Sequence, residues 1–311
     1  MKKQSLLLFG ITALLFSSVK AQKADTIRAK ATYGFSHITD TLNRDKPFTQ
    51  EMVLLLGSQS SAYLSLDKIN FDLQRQKDIE EQIKNSIPGK ISLNMKSSPK
   101  KLSQEELYMY TEQKKLITKK RLVNNYLIEE KLPEMNWTIT TDTATISGLK
   151  CQKANTSFMG RTYTAWFCPD LPFQSGPWKL NGLPGLIVAA HDAKKEVVFD
   201  FLGFENIKHT KASAVKSEEA SEIGDVSVSG KLNISKMSSA DLLNSPVLYL
   251  PKGAIKTTEQ EYQKLAEAMR KDPEGFISSS LPGTSFKRTT ANKSTVNPAV
   301  INNPIEITAV K

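Results

Sequence analysis

Reactive side chains are scarce in this 311-residue chain, which has three histidines, His37, His191 and His209, and two cysteines, Cys151 and Cys168. Histidines so scattered make no local zinc motif, and a metal site would depend on the fold gathering them. There is no GxSxG elbow, HExxH pair or P-loop, which removes the commonest local signatures of serine hydrolases, zinc peptidases and nucleotide-binding enzymes. The cysteines lack CxxC spacing, so a thioredoxin-like redox motif is excluded. The excess of basic residues, 42 Lys plus Arg against 32 Asp plus Glu, is spread along the chain. It forms no basic stripe with interleaved aromatics of the kind that binds nucleic acid. Neither a nucleic-acid partner nor a cofactor is expected.

Long apolar runs are also missing, apart from one at the start. Lys2 and Lys3 precede Leu6–Phe16, and Val19 and Ala21 place small side chains where signal peptidase cuts. That run is too short for the ~20 residues of a spanning helix. We expect residues 1–21 to be an export signal removed ahead of Gln22. No cysteine lies near the cut, so a lipid anchor is not expected, and the location is periplasmic or secreted. The mature chain then carries a formal +7, from 39 basic and 32 acidic residues. Residues 22–290 read as a single β-rich domain, and 291–311 as a partly ordered tail with a last extended piece at 305–307.

Within the domain, period-two alternation outnumbers helical spacing. Strands are expected at 31–38, 52–56, 62–66, 122–132, 136–140, 144–148 and 196–204. Helices are expected over 66–83, ended by Pro88-Gly89, and over 258–273, opened by Thr258 with Glu261 and stopped by Pro273. Ser103 with Glu106 has capping-box spacing and predicts a short helix there. Residues 210–245 read as a long polar connection with a strand or two. The fold class is α+β and β-rich, a curved antiparallel meander with a few flanking helices.

Two features concentrate information. The first is "LKCQKANTSF" and "RTYTAWFCPD" about Met159-Gly160. A two-residue loop pairs residues whose numbers sum to 319, which sets Cys151 opposite Cys168 at a non-hydrogen-bonded site, close enough for a disulfide. A type I turn with a glycine bulge would shift the register and leave free thiols on opposite faces. The second is "GPWKLNGLPGLIVAAHD", which crowds Gly176, Pro177, Gly182, Pro184 and Gly185 around Trp178 in a chain of only 15 glycines. Leu183-Pro184-Gly185-Leu186 has the residues of a type II turn. Leu186, Ile187 and the residues to Ala190 then suit a strand covered on both faces.

The stretch 136–192 resembles the GLPGLI family of exported bacterial proteins. It has Trp137, "GLKCQKA" at 148–154, Gly160-Arg161, Ala165-Trp166-Phe167, Gly176-Pro177-Trp178 and the hexapeptide 182–187; "NPIEI" at 303–307 is like the family's closing segment. Cys168 departs from the pattern, where a hydroxyl residue is expected. The resemblance implies a Gram-negative envelope protein in the company of TonB-dependent outer-membrane receptors, and it brings no established activity.

The expected function is a non-catalytic envelope accessory or binding protein. Its partner is an outer-membrane receptor or other envelope protein, or a small lipophilic or peptide ligand in an apolar concavity rimmed by residues 178–185. Trp166, Trp178, Leu183, Pro184, Gly185 and Arg161 are the candidate binding residues, with core packing of the two tryptophans and solvation of Arg161 as the competing readings. The alternative function is a periplasmic hydrolase, peptidase-like and metal-dependent, around His191. Adjacent strand residues point to opposite faces, so Asp192 is not expected to orient His191.

Overall fold

A computed structural model describes residues 25–86, 97–98, 100–208, 239–251, 253–280 and 301–307. The expected export signal, Pro88-Gly89, His209 and most of the polar connection lie outside these residues. The strands are β1 (Asp25–Thr26), β2 (Ala29–His37), β3 (Phe48–Leu56), β4 (Ser60–Ser65), β5 (Glu106–Tyr110), β6 (Lys115–Arg121), β7 (Asn125–Lys131), β8 (Thr138–Ile146), β9 (Leu149–Phe158), β10 (Arg161–Cys168), β11 (Leu186–Asp192), β12 (Val197–Asn206), β13 (Val247–Leu248) and β14 (Ile255–Thr257). The helices are α1 (Leu66–Lys84), α2 (Ser239–Leu243), α3 (Glu259–Lys271) and α4 (Pro273–Ser280).

One sheet of twelve strands runs in the order β14-β7-β6-β5-β4-β3-β2-β12-β11-β10-β9-β8, and β1 pairs with β13 apart from it. Each pair in the large sheet is antiparallel except β14 with β7, so the sheet is mixed at one edge. It is curved and not closed into a barrel. Alternation along β3 sends Met52, Leu54 and Leu56 to one core and Val53 and Leu55 to another. The second core is roofed by Ile69 of α1, Ala240 and Leu242 of α2, and Leu248 of β13. The first joins β2–β6 to Ala154, Tyr163, Ala165 and Phe167 of β9 and β10. Strands so far apart share one core because the sheet curls. Tyr33 of β2 marks the curl by donating to the Ile187 carbonyl of β11, 2.8 Å away and two strands along.

Local signals account for the helix starts. Ser65 accepts from the Lys68 N–H at the head of α1, and Thr258 with Glu261 forms the full capping box of α3. α1 ends at Asn85. Pro273 stops α3 as expected, and it also opens α4, where its missing N–H costs nothing. Asp272 accepts from the Gly275 N–H at that joint, 2.9 Å away.

Four expectations are corrected. Ser103–Glu106 opens no helix: the Ser103 hydroxyl accepts from Glu105, and Glu106 begins β5, whose residues are all buried. The Glu106 carboxylate turns to Lys119 across the hairpin, a tertiary contact that overrides the local cap signal. The strand expected over 122–132 is β7, shortened to Asn125–Lys131 because the chain reverses between Arg121 and Asn125. Residues 136–148 are not two strands but β8 alone, interrupted by a bulge between Ile139 and Thr143 that the Gln152 amide fills by donating to Thr140. The closing piece 305–307 is not a strand, although it is firmly bonded as described below.

Candidate functional site

The hairpin of β9 and β10 turns on Met159 (φ 47°) and Gly160 (φ 75°). Both angles are positive, which defines the tight two-residue loop, and the register runs from Arg161↔Phe158 to Phe167↔Gln152. Each pair sums to 319. The next position sets Cys168 opposite Cys151, both buried and both free thiols. Gly160 is required twice over: it holds a positive φ, and a Cβ there would lie 2.4 Å from the Ile307 carbonyl oxygen.

The chain that presses on Gly160 is the closing segment, and Arg161 holds it. The Arg161 side chain is 3% exposed. Its Nε donates to the Ile305 carbonyl at 3.0 Å, and Nη2 donates to Asn303 Oδ1 at 2.6 Å and to the Pro304 carbonyl at 2.7 Å. Nη1 donates to Asp192 at 2.7 Å and reaches Glu196 at 3.4 Å. All five N–H donors of the guanidinium are used. Arg161 is therefore not the solvated residue considered from sequence.

The partners are organised by their own loops. Asp192 ends β11, and its second carboxylate oxygen accepts from the N–H groups of Glu196 and Val197, which shapes the turn into β12. Glu196 accepts from Arg44 at 2.7 Å and from the Asn303 amide at 3.0 Å. The Arg44 hydrogen bond, helped by Asn303 and Arg161 against burial, holds the Glu196 carboxyl below its usual pKa. His37 closes the cluster at the end of β2. Burial, and then the Arg161 charge, push its pKa down, while Asn303, Asp192 and Glu196 pull the other way. Its Nε2 is buried without a hydrogen-bond partner.

The same closing segment touches the glycine-rich stretch, for Glu306 pairs with Lys179 at 2.6 Å. The stretch is a cover rather than a rim. Trp178, Leu180 and Leu183 are buried in the first core. Trp178 adopts φ 54°, unusual for a bulky residue. Its indole lies 5.5 Å from Phe158 and 6.2 Å from Tyr163, a packing that offsets the strain. Trp137 donates from its indole nitrogen to the Asn181 carbonyl at 2.8 Å and fastens the loop to the start of β8.

The expected type II turn at 183–186 is also corrected. Gly185 N–H bonds the Leu183 carbonyl, a three-residue turn about Pro184, and Leu186 bonds Leu171 instead. Gly185 serves close approach: a Cβ there would stand 2.2 Å from the Cys168 carbonyl oxygen.

The sequence-derived candidates therefore separate. Trp178, Leu183, Leu186 and Ile187 share the first core and Gly185 abuts Cys168 at one end of β10, Arg161 is buried at the other end, and Trp166 is half-buried and Pro184 exposed. His191 is half-buried with Nδ1 2.9 Å from the Asp192 carbonyl. No three His, Cys, Asp or Glu side chains gather as a metal site among the described residues. Asp192, Glu196, Asn303, Arg44 and His37 went unrecognised in sequence. The "NPIEI" likeness was the one signal for Asn303, because it marked 303–307 as part of the same pattern as Gly160-Arg161.

A family described as a protein of unknown function (Porph_ging) matches residues 159–189, about a tenth of the chain and the segment from the hairpin turn to β11. A search of curated proteins finds no relative. Among solved structures, the chain is similar to PNGF-II in its C2 crystal form, with a TM-score of 0.44 and 14% identity over 76% of this chain and 32% of that one. The P21 form gives 0.40 and 15%, over 59% and 29%. The chain thus spans about a third or less of PNGF-II, and TM-scores this low carry no argument about what it does.

Proposed function

We propose that this protein is an exported, non-catalytic member of the cell envelope that works by contact with another envelope protein, an outer-membrane receptor being the partner implied by the GLPGLI resemblance. One observation carries the reading. The segment that the family match covers spends its chemistry on internal structure: Arg161 has no free donor, Lys179 is paired, and Trp178 is core. A segment built in this way is a scaffold joint and not a reaction centre. Burial of Trp178, Leu180 and Leu183 in the core favours a protein partner on the outer surface over a lipophilic ligand at this stretch.

The test is direct. Protein from intact Gram-negative cells should have its N-terminus at Gln22, appear in the envelope fraction, and crosslink to an outer-membrane receptor. An unprocessed cytosolic chain overturns the export part. Peptide hydrolysis by the purified protein, abolished by His191→Ala, overturns the non-catalytic part. No helix among the described residues is long and apolar enough to cross a membrane.

A further inference from the structure

We infer that Cys151 and Cys168 are a built disulfide site, closed by a thiol-disulfide oxidant, that staples β9 to β10 beneath the glycine-rich corner. The register supports it. Phe158↔Arg161 flank the two-residue turn as a hydrogen-bonded pair, and alternation along the ladder makes the 151/168 position a non-hydrogen-bonded one. There Cα atoms stand about 4.5 Å apart, inside the range that a disulfide spans. Both side chains are buried in the same core, at 2% and 0% exposure. Cys168 is also the residue whose carbonyl Gly185 touches, so a bond at its side chain fixes hairpin and corner together.

The two thiols are unequal. Cys151 lines an open surface depression with Thr143, Thr145, Lys150, Gln152 and Asp170, whereas Cys168 does not. At 2% exposure against 0%, Cys151 is the less enclosed of the two and the first nucleophile of the proposed step. Its thiolate attacks one sulfur of a disulfide reagent and releases one reagent thiol as a mixed disulfide forms. The Cys168 thiolate then attacks the Cys151 sulfur, releasing the second reagent thiol. Two protons and two electrons pass from protein to reagent. Burial first, and the neighbouring Cys168 next, push the Cys151 thiol up to about 11, so closure is slow once the chain has folded. Fast closure belongs to folding, and the finished bridge is shielded from reductants.

In cells the inference rests on the export reading, because only that compartment supplies the oxidant. Purified, reduced protein is therefore tested with oxidised glutathione, both folded and during refolding from denaturant. The expected product is a monomer about 2 Da lighter with a 151–168 crosslinked peptide. It forms faster during refolding, and in the folded protein its rate rises roughly tenfold per pH unit from 7 to 9. Its Tm should exceed that of the reduced form by roughly 5–10 °C. Cys168→Thr, which supplies the hydroxyl expected at that position, should fold and lose the response to oxidant and reductant alike. Two alkylatable thiols after both treatments, or only mixed disulfides and dimers, overturn the inference. Closure in vitro with reduced thiols in protein taken from cells upholds the bridge and counts against export.

Discussion

Two buried ion clusters hold this molecule, and they differ in what they join. Glu106 and Lys119 face each other on neighbouring strands, 2.8 Å apart, with Tyr108 and Ser239 completing the carboxylate's partners. A backbone ladder already joins those strands, and the ion pair adds an anchor for α2. Arg161 instead ties β10 to the β11–β12 turn and to residues 303–305, and Asn303 and Glu196 carry the connection on to Ile38 and Arg44. β10 and β11 are already laddered, with Tyr163 opposite Asp192, but no ladder reaches residues 303–305. Burying a charge is costly unless its partners are many and well placed. The cation with five satisfied donors stands where the closing segment has otherwise only scattered bonds, to Thr39, Met159 and Lys179, and the simpler pair stands where backbone pairing has done most of the work.

The largest expected effect follows from that contrast. Arg161→Ala leaves Asp192 buried with its cation gone and Glu196 with Arg44 alone, and it frees the 303–307 segment from its main side-chain anchor. It should cost about 3–5 kcal/mol in chemical denaturation, with new protease cleavage near residue 303. Unchanged stability, or stability lost without that cleavage, breaks the claim that Arg161 is the fastening of the closing segment.

A smaller loss is expected at the other cluster. Lys119→Met should cost about 2 kcal/mol, the consequence of an unpaired Glu106 on a hairpin that stays zipped. Adding Glu106→Gln removes the charge, and its amide can accept from one of the Tyr108 and Ser239 hydroxyls and donate to the other. The double variant should recover to within about 1 kcal/mol of the parent. If Lys119→Met proves as damaging as Arg161→Ala, the two clusters are not different in kind.

The same contrast explains what could be read in advance. The hairpin at 151–168 was legible because its register depends on two loop residues and on counting. Helix α1 was legible through the helical spacing of its apolar residues, and α3 through the cap at Thr258, a signal confined to four residues. Ser103 and Glu106 gave the same signal and misled, since the carboxylate's true partner lies thirteen residues on, across a strand pairing that spacing does not reveal. Gly185 has the positive φ that its place in the expected turn called for, but its close contact with the Cys168 carbonyl is a second demand that no dihedral preference encodes. The Arg161 cluster was illegible for a deeper cause. Its members come from four separate stretches of chain, each bland alone, and sequence separation hides a buried guanidinium as well as it hides a catalytic one.

The smallest expected effect is a slope, and it distinguishes the clusters by pH. His37 sits against Arg161, Asp192, Glu196 and Asn303, with its ring 6.2 Å from Phe35 and with Nε2 unpartnered. Its folded pKa lies below the ordinary 6.5 because of burial first and the Arg161 charge second. In the unfolded chain the imidazole takes up its proton near 6.5, while in the folded chain it resists. Below that pH the unfolded state binds more protons, so stability is full above about 6.5 and declines as pH falls through the folded value. Glu196 acts in a separate window: the Arg44 hydrogen bond holds its carboxyl below 4.5, and its contribution is lost only under more acid conditions. Tm measured from pH 8 to pH 4 should thus begin to fall near 6.5, well before the carboxylates titrate. His37→Phe should flatten the upper part of the fall and leave the lower part intact. An unchanged upper slope in that variant would assign the early loss to a group outside the Arg161 cluster, and His37 would then be packing rather than part of the joint.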